Sequence, residues 1–263
     1  MSELNGSDGW VRRFHPAPHA AARLICFPHA GGASTYFFPV SRTLSPGIEV
    51  LAIQYPGRQD RRTEPLIGDL HVLADVLAPL VRPWCEGPPV YLYGHSMGAT
   101  LAFEVGLRLT QAGVDPRGLV VSGRRAPSTF RDERVHLLSD DDFIAGLDKL
   151  SGTDPRLFAD PQMVEMILPA LRNDYRAAET YRYRPGPRLD CPLVALIGDE
   201  DAQVTVEEAR VWAEHTTGRF DLGVYRGGHF FINDHAADVM RVIREVVAGR
   251  TPALPGQASA LRG

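Results

Sequence analysis

Pro89-Val90-Tyr91-Leu92-Tyr93-Gly94-His95-Ser96-Met97-Gly98 is the stretch that determines how this chain folds. Residues 89–93 form an apolar run typical of a buried strand, and residues 97–112 carry apolar side chains at helical spacing. A Gly-x-Ser-x-Gly motif lies between them, and its glycines allow a turn too tight for larger side chains. A strand, this turn and a helix in that order form a nucleophile elbow, which predicts that Ser96 is presented as a nucleophile.

The composition is that of a globular protein in one domain. The chain has 263 residues, of which 44% are hydrophobic and 23% charged. A formal net charge of −4 argues against a general nucleic-acid binder. The three cysteines are odd in number and widely spaced, which indicates reduced thiols and predicts no metal site.

The chain shows no targeting or membrane-spanning pattern. Residues 1–22 lack the apolar block of a secretory signal, and no later run reaches the roughly 18 apolar residues of a membrane span. We therefore expect a cytoplasmic protein that does not enter membranes. A monomer is the default expectation.

Short apolar runs alternate with segments of helical length along most of the chain. The predicted strands are residues 23–27, 48–54, 89–93, 118–122, 192–198 and 220–225. The predicted helices between them include residues 69–84, 97–112, 204–216 and 235–247. This alternation predicts an α/β fold, with a mostly parallel central sheet and helices on both faces.

The alternation lapses over about residues 124–190, which we interpret as a helical lid insertion. Residues 161–183 have helical periodicity, and Ser139 before three aspartates is typical of a helix start. We expect one domain over residues 1–249, with the lid above the carboxyl edge of the sheet. Residues 250–263, rich in Ala, Gly and Pro, are expected to be a frayed tail.

A serine hydroxyl needs a base to remove its proton, so one of the nine histidines must serve Ser96. In this arrangement the partners follow in the order Ser, then Asp or Glu, then His after a late strand. His229 fits this position because it follows the strand predicted over residues 220–225. His235 is the alternative, at the expected start of the last helix.

The acid that orients His229 is sought in Gly198-Asp199-Glu200-Asp201, directly after a predicted strand. We favour Asp201, because reaching the histidine requires a turn beyond the strand end. Asp199 is closer to the strand and is a more plausible turn or cap residue. Glu200 is the third choice.

An oxyanion hole requires two backbone N–H groups aimed at one point. One belongs to Met97, the residue after the nucleophile. The second is expected from the loop that follows the strand over residues 23–27, where two glycines allow the backbone to approach a ligand closely. We assign it to Ala30, and we expect His29 to brace this loop rather than act as a base.

Five motifs together resemble the type II thioesterases, the free-standing editing enzymes of polyketide synthases and non-ribosomal peptide synthetases. They are Phe27-Pro-His-Ala-Gly-Gly, Tyr55-Pro-Gly-Arg-Gln-Asp-Arg61, Gly94-His-Ser-Met-Gly98, Gly198-Asp-Glu-Asp201 and Gly227-Gly-His-Phe-Phe231. The resemblance covers about residues 23–247 and implies the α/β-hydrolase fold. It also implies a triad of Ser96, Asp201 and His229, which decides for Asp201 over Asp199.

The resemblance further implies a substrate, an acyl group held as a thioester on the phosphopantetheine arm of an acyl or peptidyl carrier domain. The arm belongs to the carrier, so no cofactor of this chain is expected. His29, Arg58, Arg124 and Arg125 are tentative contacts to the substrate or to an acidic carrier surface.

Two other functions are compatible with the same residues. The first is an esterase or lipase that acts on small free esters. The second is a catalytically silent α/β-hydrolase used as a binding module, which would require a broken triad. The required residue types are all present, which disfavours the silent module.

Overall fold

The computed structural model describes residues 9–148 and 160–256, and in this part of the chain seven strands form one sheet. The strands are β1 (Val11–Arg12), β2 (Ala22–Phe27), β3 (Ile48–Ile53), β4 (Val90–His95), β5 (Leu119–Ser122), β6 (Leu193–Gly198) and β7 (Phe220–Tyr225). Their order is β1-β3-β2-β4-β5-β6-β7, and only β1 is antiparallel to its neighbour. The predicted mostly parallel sheet is confirmed. The sequence missed β1 because two residues carry no periodicity.

The helices lie mostly where the sequence predicts them. They are α1 (Phe38–Leu44), α2 (Leu70–Val81), α3 (Met97–Gln111), α4 (Asp140–Asp148), α5 (Pro161–Thr180), α6 (Val206–Arg210), α7 (Phe231–Asp234) and α8 (Ala236–Val247). The helices α1 and α7 were not predicted, because a helix of one or two turns shows too little periodicity. In the described residues no helix has the length and apolar character needed to cross a membrane.

Two apolar clusters cover the two faces of the sheet. The first joins the inward side chains of α2 and α3, such as Leu77 and Phe103, to one face. The second joins α1 and α8, including Leu44 and Ile243, to the other face. Burial of both faces explains why the central strands are apolar runs without alternation.

The order of the strands creates a crevice at the carboxyl edge of the sheet. The chain runs from β2 outward to β3 and then returns to β4, on the other side of β2. The loops after β2 and β4 therefore diverge, which in α/β sheets opens a ligand-binding crevice. Phe27 is paired with Gly94, so the loop after β2 begins beside the turn that carries Ser96.

The insertion over residues 124–190, which we predict to be a lid, contains the helices α4 and α5 in its described part. The side-chain oxygen of Ser139 accepts a hydrogen bond from the Asp142 amide at 3.2 Å, which confirms the predicted start of α4. Asp160 caps α5 by accepting from the Gln162 amide at 2.9 Å. Fully buried Phe143 of α4 packs with Leu168 and Leu171 of α5. Residues 149–159 of this insertion lie outside the described residues.

The prediction of a frayed tail from residue 250 is wrong for residues 250–256. The Val224 amide of β7 donates to the Pro255 carbonyl at 3.0 Å, and Arg219 donates to the Arg250 carbonyl at 3.1 Å. β7 is the last strand of the sheet, so this segment covers an edge that would otherwise expose unpaired backbone groups. Residues 257–263 lie outside the described residues.

His215 is a structural histidine with a consequence for stability. It is 2% exposed, packs on Phe103 and Trp212, and its Nε2 lies 2.9 Å from the Ser128 hydroxyl. Burial lowers the pKa of His215 to about 4. The folded protein therefore keeps this imidazole neutral at a pH at which the unfolded chain protonates it.

We expect His215 to make the protein less stable as the pH falls. Its contribution is complete above the ordinary histidine pKa of about 6.5 and is lost progressively toward the folded pKa, because the unfolded state binds the proton first. His215→Phe lacks this loss. Between pH 7 and 4.5 the free energy of unfolding of wild type should therefore fall by roughly 1–2 kcal/mol more than that of the variant. Urea unfolding at several pH values measures it, with exposed His19→Gln as the control. Parallel stability curves for wild type and His215→Phe would contradict the assignment.

Candidate active site

Ser96 occupies a strained turn between β4 and α3. Its φ of 54° and ψ of −122° lie in a region that non-glycine residues rarely adopt. Its amide donates to the Ser122 carbonyl at 2.8 Å. A Cβ on Gly94 would overlap the Gly98 backbone, and one on Gly98 would overlap the Phe27 carbonyl. The tight packing of the turn therefore requires glycine at both motif positions.

His229 and Asp201 form a buried pair beyond the ends of β7 and β6. The Nδ1 atom of His229 lies 2.9 Å and 3.1 Å from the two Asp201 carboxylate oxygens. Both residues are buried, and Asp201 also accepts from the Gln203 amide at 2.8 Å. The carboxylate holds the imidazole proton on Nδ1, which leaves Nε2 free to accept a proton.

The alternatives for acid and base lie in other positions. The Asp199 carboxylate accepts from the Gly227 amide at 2.8 Å, which makes it a turn residue, and Glu200 is exposed. The Nε2 of His235 bonds to the Arg226 carbonyl at 2.9 Å. Asp199 and His235 thus hold the loop around His229, and the structure brings only Asp201 of these candidates to the His229 ring.

His95 directly precedes Ser96, and its ring lies 5.0 Å from the His229 ring, centroid to centroid. A Cβ on Gly123 would be 2.6 Å from the His95 ring and 3.4 Å from that of His229, so the loop after β5 also needs a glycine here. Among the described residues no hydrogen bond joins the Ser96 hydroxyl to His229. In unliganded active sites this bond often tightens only when substrate binds.

Two further histidines line the site and stay neutral. The Nδ1 of His95 lies 2.9 Å from the Ser122 hydroxyl. Burial, together with His229 and His29, keeps the pKa of His95 well below its ordinary value. The pKa of His29 is lowered to about 3, mainly by burial and further by the charges of His229 and Arg58. Neither histidine therefore adds a charge to the site near neutral pH.

The loop after β2 contains both bonded and unbonded backbone donors. The Gly32 amide donates to the His29 carbonyl at 2.9 Å, and the Gly31 amide donates to the Asp174 carboxylate at 2.8 Å. The Ala30 amide has no partner among the described residues. Met97 is the first residue of α3, so its amide has no carbonyl within the helix to bond. The Ala30 and Met97 N–H groups thus have no partner among the described residues, which is compatible with the predicted oxyanion hole.

Burial in ion pairs argues against two of the predicted carrier contacts. Arg58 is 8% exposed and forms an ion pair with Asp174, and Arg125 is 4% exposed and pairs with Glu133. Buried guanidinium groups with carboxylate partners are not available to a docking protein. The sequence could not reveal this because both patterns resemble exposed surface arginines.

Arg124 and His29 stay predictions as substrate or carrier contacts. Arg124 donates to the Thr100 hydroxyl at 3.1 Å and to the Ala178 carbonyl, near the end of α5, at 3.2 Å. Burial lowers its pKa to about 10, and it lines a cavity of about 190 Å³ with Thr100 and Tyr183. The ring of His29 packs 5.0 Å from that of Phe230.

Sequence reasoning missed Asp174 and Ser122, which both contact the site. Ser122 ends the strand beside the elbow strand, so adjacency in a parallel sheet was the signal that could have revealed it. Asp174 lies 143 residues from Gly31 on α5, and nothing in its local sequence indicates the contact.

A parallel sheet with an elbow serine at its centre, followed by an acid and a histidine after the last two strands, defines the α/β-hydrolase class. The Thioesterase domain family model matches residues 22–247, and the chain belongs to this thioesterase family. The enzyme class, a serine thioester hydrolase, follows from that membership.

Individual relatives agree with the family. The chain is 48% identical to Thioesterase PikA5 of Streptomyces venezuelae, over 92% of this chain and 87% of the relative. It is 51% identical to the solved type II thioesterase BorB from the borrelidin biosynthetic cluster, with a TM-score of 0.86 over 92% of this chain and 98% of that one. The RedJ thioesterase of the prodiginine pathway in Streptomyces coelicolor is 34% identical, with a TM-score of 0.82 over 88% and 95% of the two chains. The predicted resemblance to type II thioesterases is confirmed.

Proposed function

We propose that this enzyme hydrolyses acyl groups, particularly aberrant or stalled ones, from the phosphopantetheine arm of acyl or peptidyl carrier domains. In this proposal Ser96 is the nucleophile, His229 the general base and Asp201 the residue that orients it. The observation that carries the proposal is the buried contact between His229 Nδ1 and Asp201, with the His229 ring 5.0 Å from the ring of His95, the residue before Ser96. The similarity to thioesterases of polyketide pathways supports the carrier-bound substrate.

The reaction proceeds in two halves. His229 takes the hydroxyl proton while Ser96 Oγ bonds to the thioester carbon, and the oxyanion is held by the Met97 and Ala30 amides. The carbon–sulfur bond then breaks, and the pantetheine sulfur takes the proton from His229. In the second half water loses a proton to His229 and attacks the acyl ester, and Ser96 recovers the proton as the acid leaves.

The leaving group explains why thioesters suit this site. A thiol has an ordinary pKa of about 8.5, so it departs more easily than an alkoxide and needs less help from the general acid. The His229 imidazole, which passes the proton from Ser96 to the leaving sulfur, supplies what the reaction requires. The phosphopantetheine belongs to the substrate protein. Action as a cytoplasmic monomer, with residues 124–190 as a lid of one domain, stays a prediction.

Matched substrates test this function against an esterase. One carrier protein is loaded with a series of acyl chains and its hydrolysis is followed by intact mass, beside oxygen esters of the same acids. We expect kcat/KM on the carrier thioester to exceed that on the oxygen ester by more than about tenfold, equivalent to roughly 1.4 kcal/mol. Faster turnover of the oxygen esters would instead favour an esterase or lipase.

A further inference from the structure

The lid and the loop after β2 share one buried carboxylate. Asp174 of α5 accepts the Gly31 amide at 2.8 Å, and Gly31 has a φ of +74°. A Cβ on Gly31 would overlap the Leu171 side chain, so α5 packs directly against this loop. Asp174 thus occupies the Gly31 amide, whereas the neighbouring Ala30 amide has no partner among the described residues.

Asp174 is itself fixed by a motif that the catalytic mechanism does not use. Arg58 pairs with Asp174 while both side chains are less than 10% exposed. Arg58 also donates to the Pro56 carbonyl at 2.7 Å and lies 5.2 Å above the Tyr55 ring. The Tyr55 hydroxyl in turn donates to the Pro28 carbonyl at 3.1 Å. The Tyr55–Arg61 motif thus braces the loop at Pro28 directly and at Gly31 through Asp174.

Holding a loop with a buried ion pair has a large desolvation cost in free energy. Its two charges lose hydration on burial, and an apolar pair of similar volume often stabilises a fold as well. The carboxylate fixes the orientation of the Gly31 N–H, because a charged acceptor orients the backbone N–H that bonds to it. Turning the Gly31 amide toward α5 fixes the peptide plane that adjoins Ala30.

We propose that Asp174 is a positioning residue of the oxyanion hole, through which the lid holds the loop that carries the Ala30 donor. This inference rests on the function proposed above and adds a residue that touches no reacting atom. It makes the oxyanion hole dependent on the docking of α5. Detachment of α5 would release the Gly31 amide and loosen the Ala30 donor.

The test compares Asp174→Ala with Asp174→Asn on a short N-acetylcysteamine thioester, which needs no carrier. Loss of one oxyanion donor costs about 10²- to 10³-fold, so a loosened donor should cost Asp174→Ala about 10- to 100-fold in kcat, with KM nearly unchanged. A boronic acid of the same chain should bind more weakly by a similar factor. Asp174→Asn, whose amide oxygen still accepts from Gly31, should stay within about fivefold of wild type.

Glu179→Ala is the matched control for lid stability. Glu179 is another buried carboxylate of α5, and it accepts the amides of Val135 and His136 at 3.1 and 3.0 Å, away from the loop after β2. We expect it to lower the urea midpoint without the selective loss in kcat. Equal losses of kcat for Asp174→Ala and Glu179→Ala, or none for Asp174→Ala, would overturn the proposal.

Two further measurements keep the result interpretable. If Asp174→Ala does not fold, Asp174→Leu replaces it, because leucine has a similar size and accepts no hydrogen bond. A folded Asp174→Leu with wild-type kcat would overturn the proposal. Ser96→Ala is measured in parallel, since activity that survives in that variant would contradict the proposed function itself, whereas a failure confined to Asp174 leaves it intact.

Discussion

Ser96→Ala is expected to lower kcat on an acyl-carrier thioester by about 10⁴- to 10⁶-fold, leaving only the catalysis of the remaining site. Alanine removes the oxygen that forms the acyl-enzyme, and His229 then has no hydroxyl proton to accept. The variant should still fold, since the backbone amide of Ser96 makes the bond to Ser122. Single-turnover hydrolysis followed by intact mass measures the loss.

A second serine–histidine pair provides the matched control. The Ser128 hydroxyl lies 2.9 Å from His215 Nε2, but among the described residues no carboxylate forms a hydrogen bond with this histidine. Ser128→Ala should keep kcat within about threefold of wild type, since surface substitutions usually cost under 0.5 kcal/mol. An acyl adduct trapped on wild type and absent from Ser96→Ala would support the nucleophile, and substantial turnover by Ser96→Ala would exclude it.

Asp201→Asn is expected to lower kcat by about 10⁴-fold with little change in structure. The carboxamide has a similar shape but no charge, and its NH₂ group favours the tautomer that carries the proton on Nε2. In that tautomer His229 cannot accept the proton of Ser96. Steady-state kinetics on a carrier thioester, with thermal unfolding to verify the fold, provide the measurement.

Asp199→Asn tests whether Asp199 is the catalytic acid or only a turn residue. The Asp199 oxygen accepts the Gly227 amide, and an asparagine oxygen can do the same. We therefore expect less than a tenfold loss in kcat for this variant, against the much larger loss for Asp201→Asn. If the two losses were reversed, Asp199 would be the acid and the triad proposed here would be wrong.

Local sequence predicted the sheet and the elbow because their determinants are local. Glycines at 94 and 98 are needed where the backbones of β4, α3 and the loop after β2 come closest. The central strands are apolar runs because both faces of the sheet are covered. The partners of Ser96 were restricted by chain order, since parallel strands bring all their carboxyl ends to one edge.

The sequence by itself determined the α/β fold, the candidate nucleophile and the short lists for its acid and base. Tertiary structure alone decided which arginines are exposed and what holds the loop of the second oxyanion donor. Arg58 meets Asp174 across 116 residues, and the two are hidden from solvent only when α5 packs on the sheet edge. Burial and pairing at such distances depend on the packing of whole elements, and no pattern of neighbouring residues records them.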